Sequence, residues 1–553
     1  MPIPFDRRGS LERLAAEPFD VLVIGGGITG CGAALDAAAR GLRTALVEAQ
    51  DFASGTSSKS SKMVHGGLRY LQQRDYRLVY EALHERQRLL VNAPHLVHPL
   101  PFLVPLFGRD GMVSKSVAKA YSVALWSYDL TGGIRIGKRH RQLSASEALA
   151  HFPVLRTDSL VASFLYWDAQ ADDARLTLAI ARTAAAHGAV LANHAPVVEL
   201  VHEGGRVRGA VLQDGTRISA GVVVNAGGVW SERIASLEGH GAGSPVSIRP
   251  AKGIHLAVPA SKLPCDFASV LSVPGDRRSV FVVPWAVDEA TGPEGPGRYT
   301  YMGTTDTDYE GPLEDPQCTT EDIEYVLRAV NHWTSAGLEP ADVTGSWAGL
   351  RPLVSDARSE RTADLSRRHS VTTSPDGLVT VTGGKLTTYR LMATDTIDAA
   401  LKVLPKDTAP RRYSSTARLA LAGTAQRDGG TASVEGRYAH LAGRYGSEAA
   451  DVIELCHGRE DLVERIAGSL PYLKAEVVYA ARHEMALTVD DVLSRRTRAR
   501  ILDREAAASA APAVAEILAE ELGWDAGEKA RQLASFDAAI ESDRGPFGAV
   551  ASK

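Results

Sequence analysis

The stretch DVLVIGGGITGCGAALDAAARGLRTALVE (20–48) places a glycine cluster between two short apolar segments. The first apolar segment, Asp20–Ile24, predicts a buried parallel strand, because strands covered on both faces read as continuous apolar runs. Residues 28–40 predict a helix packed against that strand, and residues 43–47 predict a second strand. A βαβ unit needs about 30 residues, which this stretch supplies. The stretch therefore predicts an α/β fold built on a nucleotide-binding unit.

A glycine motif separates the first predicted strand from the helix. Gly25, Gly27 and Gly30 form GxGxxG: the first permits a tight turn, the second lets a pyrophosphate approach the backbone, and the third lets helix and strand pack closely. The pyrophosphate then lies at the helix N-terminus, which favours anions. Glu48 follows the second strand, near the spacing expected for a carboxylate that hydrogen-bonds a ribose. A glycine-rich turn without a ligand is the alternative interpretation.

Two later segments repeat the pattern of a strand that runs into paired glycines. They are VVVNAGGVW (222–230) and VTGGKLTTYR (381–390). A dinucleotide that carries a bulky flavin needs such additional close approaches of backbone, whereas an NAD domain usually needs only the first motif. Each segment alone also fits an ordinary strand-to-helix turn. Together with the first motif they favour FAD over NAD.

Composition and charge exclude several classes of function. The chain has 553 residues, enough for two to four domains, and its net charge of -5 argues against a nucleic-acid partner. The four cysteines form no CxxC pair, so neither a zinc site nor a dithiol redox site is predicted, and their scatter suits a reducing cytoplasm. No metal site is expected. The polar N-terminus lacks the apolar core of a secretory signal, and no run of 18 apolar residues predicts a membrane-spanning helix. Any membrane contact is therefore expected to be peripheral.

The rest of the chain predicts an inserted sheet followed by a helical region. Residues 51–67 read as an ordered loop, 75–92 as a helix and 288–298 as a surface loop. Further strands, predicted to form a mixed or antiparallel sheet inserted into the nucleotide-binding fold, are expected at 196–202, 206–213, 221–225, 253–258, 279–284 and 379–382. We predict an N-terminal extension (1–17), a nucleotide-binding domain with an interleaved substrate-binding domain (18–405) and a helical C-terminal domain (410–553).

Longer motifs carry a family resemblance over nearly the whole chain. SGTSSKSSKMVHGGLRYL (54–71), GLRPL (349–353) and GGKLTTYR (383–390), with the NAGGVW segment, closely resemble the aerobic, respiratory FAD-dependent glycerol-3-phosphate dehydrogenases. Further matches are KGIHL (252–256), VFVVPW (280–285), GTTDTDY (303–309) and ARHEMALTVDDVLSRRTRARILD (481–503).

The resemblance implies a fold, a reaction and partners. The fold is like that of D-amino-acid oxidases, with an antiparallel sheet that roofs the substrate pocket. The reaction is oxidation of sn-glycerol 3-phosphate to dihydroxyacetone phosphate, with electrons delivered to a quinone from the inner face of the cell membrane; a homodimer is left open. Residues expected to bind noncovalent FAD are Gly25, Gly27, Gly30, Glu48, Thr56, Ser57, Ser58, Ser61, Lys62, Gly66, Gly67, Ala226, Gly227, Gly384, Lys385, Leu386 and Thr387.

A phosphorylated polyol needs cations at one end of its pocket, and arginine matches phosphate bidentately. By similarity, the substrate-binding candidates are Arg69, Tyr70, Arg351, Arg367, Lys385 and Thr388. Arg367 is the weaker candidate, because the loop after GLRPL offers several arginines and differs in length from the family pattern. For any single arginine the alternative is a solvated surface charge.

Oxidation of a secondary alcohol also requires a group that accepts the hydroxyl proton. A neutral histidine suits this task near neutral pH, and His65 in MVHGG and His255 in KGIHL are the candidates among 16 histidines. A structural or surface histidine is the alternative for each. Arg351 is expected to stabilise the developing alkoxide.

Residues 113–128 place apolar side chains at helical spacing with Lys115 and Lys119 between them. The pattern fits a helix at a membrane surface and equally a helix packed on its own domain. Three other functions remain open from the sequence. They are a glycerol-3-phosphate oxidase that makes peroxide, an amine or amino-acid oxidase of the same superfamily, and a flavin-bearing sensor without turnover.

Overall fold

Two large β-sheets form the centre of the protein. The computed structural model describes Ile3 and residues 5–67, 75–108, 115–131, 136–239, 247–276, 278–286, 298–354, 369–405, 413–424 and 436–551. Within these ranges the helices are Arg7–Ala16, Ile28–Ala39, Tyr76–Asn92, Lys115–Thr131, Ala145–His151, Asp173–Ala186, Ser231–Ala235, Thr320–Trp333, Tyr389–Val403, Ala439–Tyr445, Ala449–Glu454, Lys474–His483, Ala499–Leu502, Arg504–Leu522 and Ala526–Ala551, with a π-helix at Asp491–Arg496.

The first sheet carries the nucleotide-binding unit. Its eight strands in the described part of the chain are Phe19–Ile24, Thr44–Val47, Val190–Ala192, Val197–Glu203, Arg206–Leu212, Arg217–Asn225, Ser370–Thr373 and Val379–Thr382. Phe19–Ile24 pairs in parallel with both Thr44–Val47 and Arg217–Asn225, and all of its residues are buried. Helix Ile28–Ala39 connects the first two strands, so the predicted βαβ unit is confirmed.

The second sheet is the insertion that the sequence predicts. Its ten strands within the described ranges are Met63–Val64, Val97–Phe107, Arg141–Ser144, Leu160–Ala171, Ile248–Pro259, Ala268–Ser272, Ser279–Ala286, Arg298–Gly303, Thr307–Asp308 and Gly345–Val354. The sheet is mixed, because Val97–Phe107 pairs in parallel with Ala268–Ser272 while the other pairs are antiparallel. The long pairing of Ile248–Pro259 with Gly345–Val354 sets His255 opposite Trp347 and Ala251 opposite Arg351.

The C-terminal region is helical, as predicted, but its apolar core is continuous with the second sheet. Tyr301 and Trp347 of the sheet belong to the same buried cluster as Tyr472, Val492 and Leu502 of the C-terminal region. These helices therefore bury part of their apolar faces on the second sheet. The predicted domain boundaries stay predictions, and residues 406–412 lie outside the described ranges.

The N-terminal segment also packs on the first domain. Helix Arg7–Ala16 buries Leu14 in the core beside the first sheet, and Arg7 donates hydrogen bonds to the carbonyl groups of Asn193 and His194 at 2.9 and 3.0 Å. None of the helices in the described ranges combines the length and the apolar character needed to span a membrane.

Candidate active site

The turn between the first strand and its helix requires glycine at two positions, Gly25 and Gly30. Gly25 has φ +117°, and a Cβ there would lie 2.6 Å from the carbonyl oxygen of Ala226. A Cβ at Gly30 would overlap the carbonyl oxygen of Gly25. Gly27 caps the helix without a side chain, and the first helical N–H, that of Ile28, donates to Ser57 Oγ at 2.9 Å. Backbone and helix N-terminus thus form a close-fitting cradle for an anion.

Glu48 is oriented by two backbone donors. Its Oε2 accepts a hydrogen bond from Gly26 N at 2.5 Å, and its Oε1 accepts one from Gln50 N at 2.9 Å. The desolvation of this half-buried carboxyl raises its pKa, and the two N–H donors oppose that rise. The side chain also lines the cleft described below, where it can accept hydrogen bonds from a ribose diol.

A cleft of about 460 Å³ runs along these elements, within the range typical of cofactor sites. Ten of the predicted cofactor residues line it: Gly25, Gly27, Glu48, Thr56, Ser57, Ala226, Gly227, Gly384, Lys385 and Leu386. The sequence analysis missed Ser54, Gly55, Trp230 and Gly383, which also line the cleft and adjoin the recognised motifs. It also missed Val197 and Val198, for which the sequence offers no signal beyond a strand pattern.

Two other predicted cofactor residues, Gly30 and Lys62, do not line the cleft and instead contact elements that form it. Gly30 packs against Gly25, as described above. The Lys62 ammonium is buried and donates to Asp173 Oδ1 and to the carbonyl oxygen of Ser58, each at 2.9 Å. Burial, followed by the charge of Arg498, lowers the pKa of Lys62 to about 8.

Three further predicted cofactor residues, Gly66, Gly67 and Thr387, lie on the HGG segment and the second glycine turn, while Ser58 and Ser61 lie on the loop before them. Gly66 N donates to Tyr128 Oη at 3.0 Å, and Gly67 has φ +77°. Thr387 Oγ1 accepts from His65 N at 3.1 Å, which ties the HGG segment to the turn at 383–388. These contacts assign the three residues to the framework of the site, and no cofactor contact follows from them.

The second glycine turn closes one end of the cleft. Gly383 and Gly384 have φ of +75° and +85°, and a Cβ at Gly384 would overlap Sδ of Met392. Lys385 follows directly, lines the cleft and has a buried ammonium nitrogen. Thr388 is buried at the start of helix Tyr389–Val403. The turn thus presents a cation and a second helix N-terminus at this end of the cleft.

His255 lies on the face of the second sheet that packs against the loop at 59–61. Its Nε2 is hydrogen-bonded to Ser61 Oγ at 2.8 Å, and its ring stacks on Trp347 with centroids 4.8 Å apart. Burial, followed by the charges of Lys62 and Arg351, lowers the pKa of His255 well below its usual value. The imidazole is therefore neutral near pH 7 and able to accept a proton.

Arg351 lies on the same sheet face, on the neighbouring strand. Its Nη1 pairs with Asp306 Oδ1 at 3.2 Å, and its Nη2 donates to Thr304 Oγ1 and to the carbonyl oxygen of Thr305, each at 3.2 Å. A Cβ at Gly253 would overlap the guanidinium, so glycine there makes room for it. The next residue, Pro352, lines the cleft. Three further predicted substrate residues, Arg69, Tyr70 and Arg367, lie outside the described residues.

Comparisons with known proteins identify the family. The model of FAD-dependent oxidoreductases matches residues 20–390, and that of the C-terminal domain of alpha-glycerophosphate oxidase matches residues 414–529. Glycerol-3-phosphate dehydrogenase 2 of Mycobacterium tuberculosis is 41% identical over 554 residues, covering 98% of this chain and 91% of that protein. The chain belongs to the FAD-dependent glycerol-3-phosphate dehydrogenase family. The human mitochondrial glycerol-3-phosphate dehydrogenase is 39% identical over 547 residues, covering 93% of this chain and 72% of that protein.

Two solved structures agree with this fold. The FAD complex of glycerol-3-phosphate dehydrogenase from Bacillus halodurans has a TM-score of 0.76 at 30% identity and covers 98% of both chains. The L-alpha-glycerophosphate oxidase of Mycoplasma pneumoniae, at 16% identity and a TM-score of 0.53, covers 72% of this chain and 98% of its own, and shows a shared fold alone. The predicted fold class and FAD as cofactor are confirmed; noncovalent attachment stays a prediction.

The residues of the cleft fit FAD, the cofactor of the glycerol-3-phosphate dehydrogenase family. Glu48 would hold the ribose, and the backbone from Gly25 to Ile28 would hold the pyrophosphate, because a side chain there would fill the cradle. The turn at 383–386 would hold the flavin end. Arg351 and His255 lie on one face of the second sheet, and Pro352, which follows Arg351, lines the cleft.

Proposed function

We propose that this protein oxidises sn-glycerol 3-phosphate to dihydroxyacetone phosphate and passes the electrons to a quinone. One observation carries the proposal: Lys385, with a buried ammonium, ends the dinucleotide cleft, and Arg351 immediately precedes a cleft residue. Two cations at the flavin end suit a substrate that carries a phosphate dianion. The relatives from Mycobacterium tuberculosis and human, which are named glycerol-3-phosphate dehydrogenases, support this choice of substrate.

The protein side chains orient the alcohol and accept its proton. When bound, FAD supplies the two-electron acceptor for the carbon-bound hydrogen of the substrate. His255 is the proposed proton acceptor, because it is neutral near pH 7 and shares a sheet face with Arg351, whose charge contributes to its lowered pKa. Arg351 and Lys385 bind the phosphate or stabilise the negative charge that develops on the substrate oxygen.

Acceptor assays test the proposed function. With glycerol 3-phosphate as donor, we expect rapid reduction of quinone-like dyes and little peroxide, whereas glycerol and amino acids should support slow turnover at best. The measurement compares dye reduction and peroxide release at equal enzyme concentration. Peroxide formed in equal amount to product, at rates that match the dye assay, would favour the oxidase alternative. Turnover of an amino acid that exceeds that of glycerol 3-phosphate would refute the proposed substrate.

An exposed apolar face on one helix supports a peripheral membrane site. Helix Lys115–Thr131 packs on its own domain through Tyr128, while Val123, Trp126 and Leu130 are 57%, 47% and 73% exposed. These three side chains lie at helical spacing on a face that points away from the packed Tyr128. We propose that this face rests in the interfacial layer of the membrane and attaches the protein to its inner, cytoplasmic side.

Vesicle binding tests this membrane face. Because two apolar anchors are replaced by carboxylates, Trp126→Glu combined with Leu130→Glu should weaken binding to anionic phospholipid vesicles by about tenfold or more. Tyr413→Glu is the matched control, since Tyr413 is also an exposed aromatic side chain but lies outside this helix. Cosedimentation measures the bound fraction. If the double variant binds like the protein without substitutions, the membrane contacts another surface.

A further inference from the structure

A short C-terminal segment contacts both ends of the loop that lines the cleft. The loop comprises residues 51–62 and is called the cofactor loop here; the segment comprises residues 494–498 and carries three arginines. Its hydrogen bonds to the loop span more than 400 positions of sequence. The segment therefore adds contacts at both ends of a loop that the nucleotide-binding unit holds through Gly26 and Ile28.

The first anchor is Asp51, at the start of the cofactor loop. Arg495 Nε donates to Asp51 Oδ2 at 2.6 Å, and Arg496 donates to both carboxylate oxygens at 2.7 and 2.9 Å. Asp51, His194 and Asp491 bring potential metal-binding atoms within 4.8 Å of one another. The guanidinium groups of Arg495 and Arg496 already compensate the charge of Asp51. This cluster is therefore part of an ion-pair network and does not favour binding of a metal cation.

The second anchor is formed by Arg498, near the end of the cofactor loop. Its Nη2 donates to the carbonyl oxygen of Ser58 at 2.6 Å and to Asp173 Oδ1 at 2.9 Å. Lys62 donates to the same two acceptors, and Ser60 donates to Asp173 Oδ2 from N and Oγ at 3.0 and 2.7 Å. Arg498 adopts φ +73°, a conformation rare outside glycine, which the surrounding contacts maintain.

The charges of this anchor are fully buried, so they depend on one another. Arg498, Lys62 and Asp173 each expose at most 1% of their side-chain surface. Removing Arg498 leaves Asp173 with Lys62 but without its second cationic donor, and the loss of a buried partner is costly in a low-dielectric interior. Arg498 reaches Ser58 and Asp173 through Nη2, and its Nη1 donates to the carbonyl oxygen of Ser494 at 3.0 Å. The guanidinium therefore joins the cofactor loop to the C-terminal segment itself.

Between the two anchors the cofactor loop makes the contacts that shape the site. Ser57 Oγ accepts from the N–H of Ile28 at the helix N-terminus, and Thr56 Oγ1 donates to the carbonyl oxygen of Leu350 at 2.6 Å. Ser61 is hydrogen-bonded to His255 at 2.8 Å. A shift of either anchor would therefore displace both the cofactor cradle and the partner of the proposed proton acceptor.

We propose that residues 494–498 position the cofactor loop for FAD binding, with Arg498 as the decisive positioning residue. The C-terminal region thus completes the FAD site although none of its described residues lines the cleft. The inference rests on FAD binding and does not depend on which alcohol is oxidised. It predicts that loss of Arg498 weakens FAD binding beyond any general loss of stability.

Flavin retention in purified holoenzyme variants tests this role. Arg498→Gln should raise the FAD dissociation constant by about tenfold or more, measured by equilibrium dialysis, because one charge-assisted anchor is lost. Arg498→Lys, which keeps the charge but lacks the Nη1 donor to the carbonyl oxygen of Ser494, should recover part of the affinity. Glu476→Gln is the matched control: Glu476 is equally buried and bonds to His440 and to Leu473 N within the C-terminal region. It should lower Tm and leave FAD affinity within twofold of the original.

Hydrogen exchange of the unsubstituted holoenzyme provides an independent measurement if Arg498→Gln does not fold. Amides of residues 54–62 should open together with those of residues 494–498, with the same dependence on denaturant, because the two segments share their anchors. Independent opening of the two segments overturns the proposal. So does FAD affinity within twofold of the original in a folded Arg498→Gln variant.

Discussion

Arg351→Ala and Lys385→Ala should each lower kcat/KM for glycerol 3-phosphate by about a hundredfold to a few thousandfold. Removing a cation that pairs with a desolvated anion costs about 3–5 kcal/mol, because the anion is left buried without compensation. Steady-state kinetics with a dye acceptor measures the effect, and flavin absorbance confirms that each variant retains FAD.

The control for this pair is another cation at the cleft wall. Arg233 lines the cleft but is largely exposed, at 3.9 Å from Glu314, so Arg233→Ala should stay within about twofold of the original kcat/KM. Glycerol, which lacks the phosphate, should remain a poor substrate for every form. If Arg351→Ala and Lys385→Ala keep full FAD and near-normal kcat/KM, the substrate site lies elsewhere.

Replacing the proposed proton acceptor should have an effect of similar size. We expect His255→Gln to reduce kcat/KM by about a hundredfold to ten-thousandfold, the usual contribution of a general base. His65→Gln is the comparison. The backbone N–H of His65 donates to Thr387 Oγ1, and we expect the His65 side chain to contribute less to kcat/KM. A larger loss for His65→Gln than for His255→Gln would reverse the assignment.

The pH profile adds a second readout for His255. Burial and the charges of Lys62 and Arg351 lower the pKa of its imidazole, so the active neutral form persists below pH 6.5. The acid limb of kcat/KM should therefore lie below pH 6.5. Removing the Arg351 charge raises this pKa and should move the limb of the residual activity to higher pH. If the acid limb of kcat/KM does not move in Arg351→Ala, the charge of Arg351 does not influence the pKa of the group that accepts the proton.

The cofactor end of the site was predictable because its signals are local in sequence. Gly25, Gly27 and Gly30 lie within six positions, and at Gly25 and Gly30 a Cβ would clash with neighbouring backbone. Glu48 follows one βαβ unit later, so its position is set by strand and helix lengths. Lys62 was predicted to contact the cofactor but pairs with Asp173, which lies 111 positions away. No local pattern reveals such a partner.

Parts of the second sheet were also beyond local patterns. Strand Val97–Phe107 contains Pro99, Pro101 and Pro105, and proline normally argues against a strand with two paired neighbours. Here the strand pairs fully with Leu160–Ala171 on one side and at only two positions on the other, which accommodates residues without an N–H donor. Such partial pairing on one side of a strand is decided when the sheet assembles, so the local sequence does not reveal it.

The proposed substrate site rests mainly on the family resemblance. Arg351 and His255 are 96 positions apart in the printed sequence, and only the pairing of their strands brings them to one sheet face. Neither an arginine nor a histidine carries a local signal for this role. Arg69, Tyr70 and Arg367 stay predictions, because they lie outside the described residues.

The absorbance of the flavin, recorded without oxygen during addition of glycerol 3-phosphate to the purified holoenzyme, tests the central proposal most directly. We predict that glycerol 3-phosphate bleaches the flavin in proportion to the amount added, that glycerol at the same concentration does not, and that denaturation then releases FAD from the chain. A flavin that glycerol 3-phosphate leaves oxidised, or that glycerol or an amino acid reduces equally fast, would contradict the proposed function.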